Sequence, residues 1–180
     1  VTTNLPPGTD AYDLFNGRIG PNNVADWASG TLGMTLSGLN PAKQYTVALF
    51  CSRLADSPAY TDRWTVVTLT GADAFRNTSS AGAVVSGASN RTTRLSAALS
   101  PGLVARYDAI RPGSDGTIVV QLTGTGTNGQ SHGYLNGFMV REEGVTDGDA
   151  DGMDDAWEVA NFGGTNTVTG AATADWDQDG

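Results

Sequence analysis

The stretch Gln44-Tyr45-Thr46-Val47-Ala48-Leu49-Phe50-Cys51 is the longest near-apolar run in the first half of the chain, and Tyr45, Val47 and Leu49 alternate along it with Thr46, Ala48 and Phe50. β-branched and aromatic residues at period two, with Asn-Pro upstream, predict a buried strand. Working outward, similar runs recur between turn signals at the spacing of a β-sandwich. Upstream lies Thr31 to Leu36, closed by Ser37-Gly38. Downstream come Asp62 to Thr70, a turn at Gly71-Ala72-Asp73, Ala83 to Ser86, Thr92 to Ala98, Leu103 to Ile110, Thr117 to Thr123 and Tyr134 to Arg141. Pro112-Gly-Ser-Asp-Gly116 is a tight turn between two of these. Gly124 to Ser131 reads as a loop. Residues 1–30 read as loops with one edge strand at most, and no helical period stands out before residue 150. Eight or so strands in one domain predict an all-β fold, a jelly-roll-like β-sandwich over 1–143.

Composition agrees with that class. Of 180 residues, 24 are Gly and only 16% are charged, whereas a helical bundle needs far more Glu, Lys and Leu. No apolar run approaches the roughly 18 residues of a membrane span, so none is expected. The start Val-Thr-Thr-Asn lacks a charged end and an apolar stretch, which reads as a mature or trimmed chain. Charge is informative once divided. Nine of the 19 acidic residues lie in 144–180, leaving ten against ten Lys and Arg in 1–143. The net charge of -9 therefore belongs to the last fifth of the chain, and a neutral sandwich without a basic stripe argues against nucleic acid as a partner. Cys51, the single cysteine, has no intrachain partner and reads as a buried thiol.

The acidic tail has a pattern. Asp147-Gly-Asp149-Ala-Asp151-Gly152-Met153-Asp154-Asp155-Ala-Trp157-Glu158 satisfies D-x-D-x-D-G, five residues, Glu. Calcium takes six to eight hard oxygen ligands at about 2.3–2.6 Å. Asp147, Asp149 and Asp151 fill positions 1, 3 and 5, and Gly152 permits the turn. The Met153 carbonyl supplies position 7, Asp155 position 9, and Glu158 closes the shell with two oxygens. Trp157, Val159, Ala160 and Phe162 fit a short helix stopped by Gly163-Gly164, so the tail is expected to form an EF-hand-like loop and helix holding Ca2+. Asp175, Asp177 and Asp179 form the first half of a second loop and a possible second metal site.

Residues 147–180 resemble the tandem Asp-rich calcium repeats of the thrombospondin type 3 and dockerin kind. The resemblance implies that Asp147, Asp149, Asp151, Asp155 and Glu158 are ligands; a dockerin would need a complete second loop. Residues 1–143 resemble carbohydrate-binding β-sandwich modules of secreted bacterial proteins. The stretches that carry this are Leu39-Asn-Pro-Ala-Lys-Gln-Tyr45, Tyr60-Thr-Asp-Arg-Trp-Thr65, Arg106-Tyr-Asp108, Pro112-Gly-Ser-Asp-Gly116 and Tyr134-Leu-Asn-Gly-Phe138.

Candidate ligand-binding residues follow from chemistry. Trp27, Tyr60 and Trp64 stand among turn residues, where an aromatic face can stack on a sugar ring while Asp62 and Arg63 hydrogen-bond its hydroxyls. A packed core is the rival reading for Trp64, and an ion-paired rim for Arg53, Asp62, Arg63, Arg106 and Asp108. His132, the only histidine, reads as a solvated loop residue. With one His, one Cys and no G-x-S-x-G elbow, no catalytic residue is expected. The expectation is a non-catalytic accessory module of a secreted, extracellular protein, with polysaccharide or extracellular matrix as partner. The rivals are a structural subunit of a filament, surface layer or adhesin that joins copies of itself, and a glycan-active enzyme.

Overall fold

A computed structural model of the protein describes residues 5–20, 23–53, 60–126, 131–144 and Val159. The chain divides into two compact units, Val1–Glu143 and Gly144–Gly180. Nearly all described residues belong to the first. The calcium-loop residues Asp147, Asp149, Asp151, Met153, Asp155 and Glu158, and the second set Asp175, Asp177 and Asp179, lie outside the described residues. Within the expected tail helix, Val159 alone is described; it is helical and exposed.

The first unit is all-β with one short helix. In chain order it contains α1 (Asp10–Phe15), β1 (Ala25–Trp27), β2 (Thr31–Leu36), β3 (Tyr45–Phe50), β4 (Arg63–Thr70), β5 (Ala72–Asn77) and β6 (Val84–Ser86). There follow β7 (Thr92–Ser96), β8 (Ala105–Pro112), β9 (Ile118–Gly126), β10 (Gly133–Leu135) and β11 (Gly137–Glu142). They form a four-stranded sheet ordered β11-β3-β8-β5, a five-stranded sheet ordered β2-β9-β4-β7-β6, and a small sheet β1-β10. No described helix is long and apolar enough to cross a membrane.

The two larger sheets share one core. Tyr45, Val47 and Leu49 of β3 and Tyr107 and Ile110 of β8 belong to the same apolar cluster as Val67 and Leu69 of β4, Leu95 of β7, and Ile118, Val120 and Leu122 of β9. Period two decides this: in β4, Thr65, Val67 and Leu69 are buried while their neighbours are half-exposed. Strand β3 departs from the rule, because all six of its residues are buried. Its second face, through Phe50, packs with Leu5, Ala11, Phe15 and Val104. Phe15 stacks on Phe50 with centroids 6.1 Å apart.

That contact explains α1, which the sequence reading assigned to loop. Thr9 caps it by accepting the Tyr12 amide at 3.3 Å, and Asp10 and Asp13 favour the positive N-terminal end. Six residues are too few for a helical period, and packing on Phe50 stabilises the helix instead. The turn expected at Gly71-Ala72-Asp73 is also shorter than read. Gly71 alone turns, at φ +70°, and β5 starts at Ala72. Its Ala, Asp and Asn content hides it, and its pairing with β8 is broken by two register shifts. The single strand expected over Tyr134 to Arg141 is two. Asn136 interrupts it, its side-chain oxygen accepting the Ser52 amide at 2.7 Å and its amide group donating to the Gly20 and Asn23 carbonyls. β9 extends to Gly126, so Gly124 to Gly126 is strand rather than loop.

One polar group crosses the core. The Tyr107 hydroxyl lies 3.1 Å from the carbonyls of Val67 and Arg91 and 3.2 Å from Thr93 Oγ1, and burial pushes its pKa up to about 12. It fixes β8 over β4 and β7.

Candidate functional site

The small sheet β1-β10 closes one end of the sandwich and carries the candidate site. It is held there by Thr65, whose hydroxyl accepts the Tyr134 amide at 2.8 Å and donates to the Tyr134 carbonyl at 3.2 Å. A side chain thus does what a neighbouring strand's backbone would do. Two glycines let the layers close. A Cβ on Gly124 would stand 2.3 Å from the Gly133 nitrogen, and one on Gly133 would stand 2.2 Å from the Trp27 ring. Only glycine fits at either place.

Around this base gather Asp26, Arg53, Tyr60, Arg63, His132 and Tyr134. The Asp26 carboxylate is a bridge: Oδ2 accepts Arg53 Nη1 at 3.0 Å, and Oδ1 lies 2.8 Å from His132 Nδ1. A carboxylate only accepts, so Nδ1 carries the proton in this contact. The His132 ring stacks on Tyr134 at 6.3 Å, and Arg63 Nη1 donates to the Tyr134 hydroxyl at 2.7 Å. Burial raises the Tyr134 hydroxyl pKa against the opposing hydrogen bond from Arg63. Tyr60 lies edge-on to Tyr134 at 6.5 Å, with the Arg53 and Arg63 guanidinium carbons 4.8 and 4.6 Å from its ring centroid.

The ligand candidates separate accordingly. Trp27, Tyr60 and Arg63 come together at this end, with Asp62 adjacent in the chain. Trp64 does not join them: strand alternation turns it to the outer face of the five-stranded sheet, where the Arg94 guanidinium sits 4.2 Å from its ring centroid. Trp27 is half-buried, packs on the core beside Gly133, and keeps its indole N–H buried without a hydrogen-bond partner among the described residues. The Arg53 and Arg63 guanidinium groups lie over the Tyr60 ring, so Tyr60 is not a bare stacking platform.

Asp26, His132 and Tyr134 were not among the ligand candidates, and Arg53 stood only as part of a rim. His132-Gly133-Tyr134 held the available signal, because a glycine between two rings in a strand-like run marks a close backbone approach. The rim reading describes the far end of the sheet well. Arg106 Nε donates to Asp108 Oδ1 at 2.8 Å, with Thr46 and Thr78 on the same carboxylate at 3.0 and 2.8 Å. Beside it, Ala109 adopts φ +50° in a bulge between the Tyr45–Ile110 and Val47–Tyr107 pairs, and its amide donates to Glu143 Oε1 at 2.6 Å. That bond and the Thr46 hydroxyl, 2.8 Å from the same oxygen, hold a conformation an alanine rarely takes.

Partial burial alone would push the Asp108 carboxyl up, but hydrogen bonds from Arg106, Thr78 and Thr46 outweigh it and hold it below the ordinary carboxylate range. A depressed folded pKa contributes stability above the unfolded value of about 3.9, lost as pH falls through the folded value. Asp108→Asn is therefore expected to lower stability at neutral pH and to flatten the loss of stability below about pH 4, read by urea melts across that range. Equal acid limbs in the two proteins would remove Asp108 as a source of acid sensitivity.

No family model matches this chain, and no curated protein matches it.

Proposed function

We propose that the chain is a non-catalytic accessory module of a secreted protein, which binds polysaccharide at the β1-β10 end and holds structural Ca2+ in its acidic tail. The observation that carries the binding reading is the half-exposed Asp26–Arg53–His132 bridge set against Tyr60 and Tyr134. Sugar hydroxyls need donors and acceptors fixed at short range around an aromatic base, and this cluster presents carboxylate, guanidinium, imidazole and phenol groups there. The non-catalytic reading is supported by the same bridge. Both oxygens of Asp26 are engaged, by Arg53 and His132, and its role is to orient those groups.

For calcium the support is the donor set. Asp147, Asp149, Asp151, Asp155 and Glu158 are hard oxygen donors at the spacing that ion requires, with the Met153 carbonyl between them. A loop of five acidic ligands repels itself without the cation, so calcium would supply the folding free energy of this segment. The jelly-roll-like reading is supported by the pairing pattern: β2 with β9, β3 with β8 and β4 with β7 nest around β5, with successive pairs in alternate sheets. Such nesting is a long antiparallel hairpin wrapped into two layers.

The test is retention of the full chain on a panel of soluble and insoluble polysaccharides, in calcium and in chelator. Retention on one glycan class is expected, falling at least tenfold for Arg53→Ala and for Tyr60→Ala while the melting temperature of the sandwich holds. Calcium at about 100 times its Kd should add roughly 2.7 kcal/mol to the tail's stability. Absence of retention on every glycan, or identical melts in calcium and chelator, would sink the corresponding half of the reading.

A further inference from the structure

The two sheet orders run in parallel. Tyr107 places β8 over β4 and β7, and the Asn77 amide of β5 reaches Thr93 of β7 at 2.9 Å. β11 and β2 are therefore the outer strands on the same side of the sandwich, and among the described residues no further strand pairs with either of them there. Register shows which residues face inward there. Phe138 and Val140 pair with Leu49 and Val47, and Leu32 pairs with Leu122, all core residues. These three point along the core side yet are 48%, 37% and 40% exposed. On the opposite side, Asn77 and Ser79 hydrogen-bond to Thr93 and lace β5 to β7.

The strand edges differ in the same way. β5 is broken by two register shifts and carries Asp73 and Arg76, β6 is three residues long, and β11 carries Arg141 and Glu142. β2 has none of these protections. Its six residues, Thr-Leu-Gly-Met-Thr-Leu, hold no charge and no proline, and they keep an unbroken register against β9. An edge of this kind is a template for another strand.

We propose that this open side is the contact between two copies of the chain, joined by antiparallel pairing of β2 with β2. The strand is complementary to itself. A two-fold axis perpendicular to the sheet at Met34 sets Leu32 opposite the second copy's Leu36 and Met34 opposite its counterpart, all on the core-facing row. The five-stranded sheet becomes ten-stranded, the two paired β2 strands bring no charge to their seam, and the open sides of both sandwiches meet. Leu32, Phe138 and Val140 leave water together. This inference is independent of the glycan site, which lies on β1, β10 and the segment before β4.

Sedimentation of the full chain in calcium, without glycan, from micromolar to near-millimolar concentration tests it. The wild type is expected to move from monomer to dimer. Leu32→Lys and Phe138→Ser replace exposed side chains, so both should melt like the wild type while dimerising at least tenfold more weakly. Val84→Lys, on the far edge, should dimerise as the wild type does. A wild type that stays monomeric throughout, or dimerisation that survives both β2-side substitutions, or equal loss from Val84→Lys, would overturn the proposal.

Discussion

Gly124→Ala is expected to abolish the proposed glycan retention and to destabilise the sandwich by about 3 kcal/mol, the upper part of the range for overpacking. The added methyl would stand 2.3 Å from the Gly133 nitrogen and 2.5 Å from the His132 carbonyl carbon. Those are backbone atoms of a neighbouring strand, which cannot rotate aside as the end of a side chain can. β10 must move, and three things move with it. The paired Thr65–Tyr134 hydrogen bonds lengthen, Gly133 is driven into Trp27, and His132 is carried away from Asp26. The core cluster of the two main sheets is not touched, so the variant should still unfold cooperatively while its site is lost. Gly144→Ala, where the methyl would meet open space, is the matched control and should leave both properties unchanged. Retention by Gly124→Ala equal to the wild type would show that the ligand does not bind at the β1-β10 end.

Phe50→Ala should cost about 3–5 kcal/mol, the usual range for truncating a fully buried phenylalanine. Phe50 is 0% exposed and joins two apolar layers: its strand faces the inter-sheet core with Tyr45, Val47 and Leu49, while its own ring faces Phe15, Leu5, Ala11 and Val104. The cavity would open directly beneath α1, whose six residues have little helical stability of their own. Guanidinium melts should show a lower midpoint with nearly unchanged slope, and the melting temperature should fall on the order of 10 °C. A change under about 1 kcal/mol would mean that α1 and the N-terminal segment collapse into the space, which is what makes such costs vary between sites.

How far the sequence disclosed this fold depended on side-chain contrast. β2, β3, β4, β7, β8 and β9 were legible because β-branched and aromatic residues alternate in them. β5 was not, and β1 was foreseen only as an unplaced edge strand within residues 1–30: Ala-Asp-Trp and Ala-Asp-Ala-Phe-Arg-Asn are poor strand formers held by their partners, β1 by β10 and β5 by β8. α1 was hidden by its length. Of the site, Trp27, Tyr60 and Arg63 were named from turn context and polar chemistry. Trp64 was grouped with them although one residue along a strand reverses the face. His132, Asp26 and Arg53 are 106 and 27 residues apart in their pairings, a juxtaposition made by the β1-β10 closure and not by any local pattern.

The nested strand pairing also sets an order of events as the chain folds. Thr31 meets Thr123 across 92 residues, and β11 supplies the outer partner of β3 some ninety residues after it. Nothing local can complete the strand Tyr45–Phe50, one edge of which stays unpaired until the last strand arrives. Contacts of such long range make for slow folding, because the loop must close before any pairing rewards it. The run from Tyr45 to Cys51 is then the segment at greatest risk of misassembly in the nascent chain, and refolding yield should fall with concentration more steeply than native stability would suggest.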